Sequence, residues 1–216
     1  PTVIFYYGGN WRSGRRQDYR FVGDTLCQMG VNAMLPDFPL YPTHRFDEIL
    51  RGVVEATDYF MKEIAPSSPV ILMGHSSGAQ KAALLALDQS LLRSPERVLG
   101  MIGLSGPYDF FPYTEADHWD LFSPEENYFR SQPVNYVRSE APPLYLLHGR
   151  NDKRVRRGHS KSLMEKQLAV GGIASREVYD DMGHVDAVLS FSRIHRRNSQ
   201  LIRDIHSFIN KLLREE

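Results

Sequence analysis

Gly74-His75-Ser76-Ser77-Gly78 stands directly behind the apolar run Val70-Ile71-Leu72-Met73 and directly ahead of the helix-favouring run Gln80-Lys81-Ala82-Ala83-Leu84-Leu85-Ala86-Leu87. A strand, a tight Gly-x-Ser-x-Gly turn and a helix, in that order, are the setting of a nucleophile elbow. A serine that attacks a carbonyl must project from a strained strand-to-helix turn, and the flanking glycines remove the Cβ atoms that would clash there. Short G-x-S-x-G matches also arise in ordinary turns, so the flanking strand and helix carry this reading, which makes Ser76 a candidate nucleophile.

A serine hydroxyl is a poor nucleophile at neutral pH until an imidazole takes its proton. Eight histidines compete for that role. On an elbow fold the acid and then the histidine follow the serine, which removes His44, while His75 lies inside the elbow. His184 stands in Asp181-Met182-Gly183-His184-Val185, a loop behind the strand-like run Arg176-Glu177-Val178-Tyr179. His195 and His206 fall in a helical region, His118 and His159 lack a preceding strand, and His148 belongs to the acid's loop. His184 is the expected base.

The acid should leave another strand end. Leu144-Tyr145-Leu146-Leu147-His148 reads as a buried strand and Gly149-Arg150-Asn151-Asp152 turns out of it, so Asp152 is expected to orient His184. Its rival is Asp109, which follows the strand 98–104 and would otherwise brace its loop. The oxyanion hole is expected from the opening strand Thr2-Val3-Ile4-Phe5-Tyr6 and the loop Tyr7-Gly8-Gly9-Asn10-Trp11, with the N–H groups of Gly9 and Asn10 joining that of Ser77. No G-x-G-x-x-G or G-x-x-x-x-G-K-[ST] pattern supports a nucleotide site.

Strand-like runs at 2–7, 31–35, 70–74, 98–104, 144–148 and 175–179 alternate with helical ones, the pattern of a parallel sheet with helices on both faces. Phe46, Ile49, Leu50, Val53, Val54, Phe60, Met61 and Ile64 recur at helical spacing, as do Leu201, Ile202, Ile205, Phe208, Ile209 and Leu212. No repeat or linker divides the chain, so residues 1–216 are read as one α/β domain with a cap-like insertion at about 107–140. Its aromatics argue against disorder. Tyr108, Phe110 and Phe111, with Trp11 beside the oxyanion loop, are the expected pocket walls.

At 216 residues and 42% hydrophobic the chain is long enough for a sizeable core. Its 26 basic and 26 acidic residues cancel, so no global field draws it to nucleic acid or an anionic membrane. Arginines cluster locally at Arg12, Arg15, Arg16 and Arg20, and around Asp152 at Arg150, Lys153, Arg154, Arg156 and Arg157. A solvated rim is the plain account, and a carboxylate-bearing substrate is the alternative beside Asp152. The single Cys27 excludes an internal disulfide and reads as a small buried hydrophobe on a helix. No run has membrane-spanning length and no signal-like segment opens the chain, so a cytoplasmic protein, monomer or homodimer, is expected.

The same motifs resemble the α/β-hydrolases of the esterase and kynurenine-formamidase-like group. Tyr7 to Trp11 is similar to that group's H-G-G-x-W loop, Gly74 to Gly78 to its elbow, and His148 to Asp152 to its H-G-x-x-D acid loop. Asp37-Phe38-Pro39-Leu40-Tyr41-Pro42 resembles D-Y-x-L-x-P, and Ser105-Gly106-Pro107-Tyr108-Asp109-Phe110 resembles S-G-x-x-D-L. The loop histidine of that group is Tyr7 here, which leaves the backbone donors untouched. The resemblance implies an α/β-hydrolase fold whose first strands would lie upstream of Pro1. It also implies a serine hydrolase acting on small carboxylic esters, or on formamides and other activated amides, without metal or organic cofactor. A prolyl-oligopeptidase-like exopeptidase and a non-catalytic ligand-binding relative are the alternatives.

Overall fold

The six apolar runs form six strands: β1 (Thr2–Tyr6), β2 (Asn32–Met34), β3 (Val70–His75), β4 (Val98–Leu104), β5 (Leu144–Gly149) and β6 (Ala174–Tyr179). Their ends differ from the sequence expectation by no more than one residue. The structure, a computed structural model, describes residues 1–196 and 199–214. The strands make one parallel sheet in the order β2-β1-β3-β4-β5-β6. β1, β3 and β5 are buried throughout, as continuous apolar strands covered by helices on both faces must be. The edge strands β2 and β6 are partly exposed and carry polar residues.

The helices are α1 (Arg20–Gln28), α2 (Phe46–Tyr59), α3 (Ser77–Leu87), α4 (Ala116–Leu121), α5 (Glu126–Arg130), α6 (Gly158–Ala169), α7 (Asp186–Leu189) and α8 (Gln200–Leu212). α2 buries Phe46, Ile49, Leu50 and Val53 of the predicted stripe and adds Thr57. Val54 and Phe60 are half-buried and Met61 is buried, whereas Ile64, expected in the core, is exposed because the turn that carries it ends the run at the surface. Glu48 closes the first turn of α2 by accepting from the Arg45 N–H at 3.1 Å. Thr57 ties it to the sheet through the Tyr6 hydroxyl at 2.7 Å. It widens into a π-turn over Phe60–Ile64, where Arg97 donates to the carbonyls of Met61, Ala65 and Ser68 before Pro66 ends the run. α8 buries Leu201, Ile205, Ile209 and Leu212, each contributing about 1.5–3 kcal/mol by the usual transfer scale. Phe208 of α8 stacks on Tyr145 of β5 at 4.9 Å. α3 is buried on every side, and its alanines 79, 82, 83 and 86 let it lie close to the sheet.

Strand order explains where a ligand can sit. The chain lays β1, steps outward to β2, then returns to the other side of β1 with β3. Loops that leave β1 and β3 therefore part in opposite directions, opening a crevice at their carboxyl ends. Those two loops are Tyr7–Trp11 and the Ser76 turn.

Two sequence readings change. Cys27 is exposed, because α1 turns Val22, Thr25 and Leu26 inward and the next residue points away. The segment between β4 and β5, holding α4, α5 and a 3-10 turn at Pro133–Tyr136, does not present all its aromatics to the crevice. Tyr108 is fully buried, its ring filling the space that Gly103 and Gly106 leave, so it cannot wall a pocket. Phe111 is 49% exposed and lies with Asp109, Tyr128 and Phe129 in a separate surface hollow. No helix among the described residues is long and apolar enough to cross a membrane.

Candidate active site

Ser76 sits between β3 and α3 at φ 54°, ψ −127°, a left-handed conformation that costs a non-glycine residue about 1–3 kcal/mol. The turn is held by the Ser76 N–H donating to the Leu104 carbonyl at 2.9 Å, and by glycines that no other residue can replace. A Cβ on Gly78 would strike the Tyr6 carbonyl, and one on Gly74 would strike the backbone of Gly78. Ser76 is therefore pinned where β1, β3 and β4 meet.

His184 enters from the loop after β6. Its Nε2 lies 2.9 Å from Ser76 Oγ and its Nδ1 lies 2.8 Å from Asp152 Oδ2. Asp152 comes from the loop after β5, and its side chain is wholly buried. Its Oδ1 accepts from the backbone N–H groups of Arg154 and Val155, both at 2.9 Å. Burial pushes its carboxyl up, but hydrogen bonds from His148, His184 and Val155 outweigh that and hold it far below the ordinary carboxylate range. Ser76, His184 and Asp152 are thus brought together as one hydrogen-bonded line. Asp109 stands elsewhere: it accepts from Ser162 and from Lys166 of α6 and bridges the β4 loop to that helix.

Two further histidines, which the sequence reading does not single out, position this line. His75 is buried, and burial together with the nearby His184 lowers its pKa to about 4, so it is neutral near pH 7. Its Nε2–H donates to the His184 carbonyl at 2.9 Å, and the two rings lie 4.9 Å apart. His148, fully buried at the end of β5, directs Nε2 to the Val155 carbonyl at 2.9 Å and to Asp152 Oδ2 at 3.3 Å. The signal for both is present in the sequence: each is a polar residue closing an apolar strand, one step before a loop that carries a candidate group.

The candidate oxyanion loop lies directly against the elbow. A Cβ on Gly8 would come within 2.9 Å of Ser76 Cβ, and Gly9 takes φ 133°, which a side chain would resist. Asn10 and Trp11 follow at φ 54° and 60°. Among the described residues the N–H groups of Gly9, Asn10 and Ser77 donate to no other group, which leaves three donors beside Ser76. α3 holds the loop through Trp11. Its N–H donates to Ser77 Oγ at 3.3 Å, its indole N–H donates to Gln80 at 3.0 Å, and Lys81 Nζ lies 5.7 Å from its ring centre. Tyr7, in place of the histidine of the resembling family, donates to Asp37 at 3.2 Å and stacks on Phe38. Burial and the Asp37 charge push its phenol up, so it stays protonated.

Lys81 is the second feature the sequence did not announce. It is 1% exposed, donates to the Ser77 carbonyl at 3.1 Å, and lies over Phe38 at 4.9 Å, with no carboxylate partner among the described residues. Burial lowers its pKa from 10.5 to about 7. A single charge inside the run Ala79 to Leu87 was its only sequence signal.

The cleft in front of Ser76 has a space of about 540 Å³, counted out to its open mouth. Trp11, Pro107, Phe110 and Val155 are its apolar walls, and Thr114, Glu115, His118, Arg154 and His159 its polar ones. The Asn10 amide bonds to Glu115 at 3.2 Å and faces His118 Nε2 at 3.4 Å, which links α4 to the candidate oxyanion loop. Glu115, Asp117 and His118 bring ligand-type atoms within 4.8 Å of one another. Those atoms are already engaged, by Asn10 and, for Asp117, by Arg12.

The BD-FAE family profile matches residues 1–167. The chain is 23% identical over 240 residues to isoprenylcysteine alpha-carbonyl methylesterase ICME of Arabidopsis thaliana, covering 97% of this chain and 56% of that protein. It is 26% identical over 195 residues to kynurenine formamidase of Danio rerio, covering 87% of this chain and 67% of that one. It therefore spans about half the length of the first of these relatives. Thermogutta terrifontis esterase 2, in a structure phosphoramylated by tabun, superposes with a TM-score of 0.81 at 15% identity, covering 98% of this chain and 83% of that one, a likeness of fold. On the profile match, the chain belongs to the BD-FAE family, in the esterase and formamidase-like group of α/β-hydrolases.

Proposed function

We propose that this protein is a serine hydrolase that cleaves small carboxylic esters through an acyl-enzyme. The observation that carries the reading is the line Ser76 Oγ, His184, Asp152, with contacts of 2.9 and 2.8 Å, set beside three backbone donors that are unpaired among the described residues. Ser76 Oγ attacks the carbonyl carbon while His184 Nε2 takes its proton, and Asp152 stabilises the imidazolium without accepting that proton. The carbonyl oxygen becomes an oxyanion held by the N–H groups of Gly9, Asn10 and Ser77. The C–O bond then breaks and His184 hands the proton to the departing alkoxide. Water repeats the sequence, releasing the acid and restoring Ser76.

Similarity to a methylesterase and a kynurenine formamidase supports ester and formamide bonds as the two classes to test. Turnover should be measured on p-nitrophenyl esters of graded chain length, an isoprenylcysteine methyl ester and N-formylkynurenine. A fluorophosphonate should label Ser76 alone, and Ser76→Ala should lower turnover by at least about 10⁴-fold while the fold persists. Labelling at another serine, or an alanine variant as fast as the parent, would remove Ser76 from the chemistry.

A further inference from the structure

Around the cleft, several cations are matched to an acid. Arg12 pairs with Asp117, Arg45 with Asp120, Arg150 with Asp180 and Lys166 with Asp109. Arg154 differs. It lines the cleft with Ser76, and among the described residues its guanidinium has no carboxylate, carbonyl or ring partner. Its backbone is nevertheless fixed, because its N–H donates to Asp152 Oδ1, the carboxylate whose other oxygen meets His184. The arm therefore starts from a rigid point two residues from the acid, with its charged end solvated and free.

We propose that Arg154 recognises an anionic group on the substrate, so that esters carrying a carboxylate a few bonds from the scissile carbonyl are the preferred class. This rests on the serine-hydrolase reading above. The other charged side chain in the cleft is Glu115, whose carboxylate is engaged by the Asn10 amide and lies 3.5 Å from His118 Nε2. Both histidines of the cleft, His118 and His159, have pKa values lowered first by burial, so near pH 7 they offer neutral imidazoles. The Arg154 charge is felt as far as His118, where it adds to that lowering, which places its field across the cleft. Among the described residues that line the cleft, Arg154 is the one Lys or Arg side chain, while Glu115 keeps its charge and is held to the oxyanion-loop side by the Asn10 amide. A guanidinium takes a carboxylate through paired N–H donors, a geometry that a solvated lysine does not match.

The test compares mono-p-nitrophenyl succinate with p-nitrophenyl pentanoate, which is similar in length but uncharged. In the parent protein the succinate should be the better substrate. Arg154→Ala should lower the succinate-to-pentanoate ratio of kcat/KM by about tenfold or more, the range of a charge-assisted hydrogen bond, chiefly through KM. Arg154→Lys should recover part of it. A ratio unmoved by Arg154→Ala, or a parent that prefers pentanoate, would overturn the proposal. Calorimetric titration of Ser76→Ala protein with the succinate ester separates the two readings. Binding that depends on Arg154 without any turnover in the parent would sink the hydrolase assignment and keep the anion site; binding indifferent to Arg154 would sink the anion site alone.

Discussion

The two sides of the cleft are built differently. On the strand side, Ser76, Asp152 and His184 each leave a parallel strand and are fixed by hydrogen bonds at 2.8–2.9 Å. His75 and His148 fasten their loops from within the core. On the facing side, the Phe110 N–H donates to Gln132 Oε1 at 2.6 Å, but the side chains of Phe110 and His118 are held mainly by ring contacts with Trp11, Tyr113 and Phe122 at about 5–6 Å between centres. Hydrogen bonds are directional and fail with a small displacement, whereas aromatic packing tolerates shifts and substitutions. The first side suits chemistry, which needs atoms held to within tenths of an ångström. The second suits selection among substrates.

The largest test sets Asp152, inside the hydrogen-bonded line, against Asp109, an acid outside the cleft. Asp152→Asn puts an amide where the imidazolium needs a carboxylate and favours the wrong histidine tautomer. It should lower kcat on the order of 10⁴-fold, the loss that the equivalent change causes in a serine protease. Asp109→Asn weakens contacts to Ser162 and Lys166 and should cost only about 1 kcal/mol of stability, with kcat nearly intact. Steady-state kinetics beside urea unfolding decides the matter. Comparable losses in kcat would erase the distinction between the two aspartates.

What the sequence makes legible follows the same division. All six strands can be read from it, because parallel strands buried on both faces leave continuous apolar runs between turn residues. The candidates Ser76, Asp152 and His184 are legible because each follows such a run in a set order. Side-chain burial in the segment after β4 is not. Whether Tyr108 or Phe110 faces the cleft depends on the room left by Gly103 and Gly106 in three dimensions, and composition shows only that both are aromatic. Lys81 is hidden for a related reason. Its helix reads as an apolar run with one charge, which on a partly exposed helix would face solvent, until the strand order places it against the loop after β1, where even the charged position is buried.

Lys81 offers a test of intermediate size at the seam between the two sides. In the unfolded chain it titrates near 10.5 and in the folded chain near 7. Between those values the unfolded state holds a proton that the folded state lacks, so stability rises with pH across the interval. At and below about pH 7 both states are charged and the full cost of burying the cation is present. Lys81→Met removes that cost together with the bond to the Ser77 carbonyl. The variant should be more stable at pH 7 by about 1–3 kcal/mol, the balance of a several-unit shift against one charged hydrogen bond and two ring contacts. Its advantage should shrink steadily towards pH 10. Denaturant midpoints measured at pH 6.5, 8 and 9.5 would show this, and an advantage independent of pH would mean that the folded lysine keeps its proton across the whole range.

The smallest effect belongs to the aromatic side. Phe110 lines the cleft and stacks on Trp11 at 5.7 Å, while Phe111 lies outside it against Tyr113, Trp119 and Tyr128. If the cleft walls set acyl length, activity in the parent should peak at acetyl to butyryl esters and decline gradually beyond them. Phe110→Ala opens volume beside Ser76, so its optimum should move to longer chains, with gains and losses of about tenfold, since a methylene in an apolar pocket discriminates by roughly 10 to 200-fold. Phe111→Ala should leave the profile where it was, because its ring borders a different hollow. A panel of p-nitrophenyl esters from two to twelve carbons, run on all three proteins, reads both expectations at once. An unmoved optimum in Phe110→Ala would mean that the other apolar walls, Trp11, Pro107 and Val155, limit the acyl group, and a shift in Phe111→Ala would mean that the segment moves as a unit when it loses a ring.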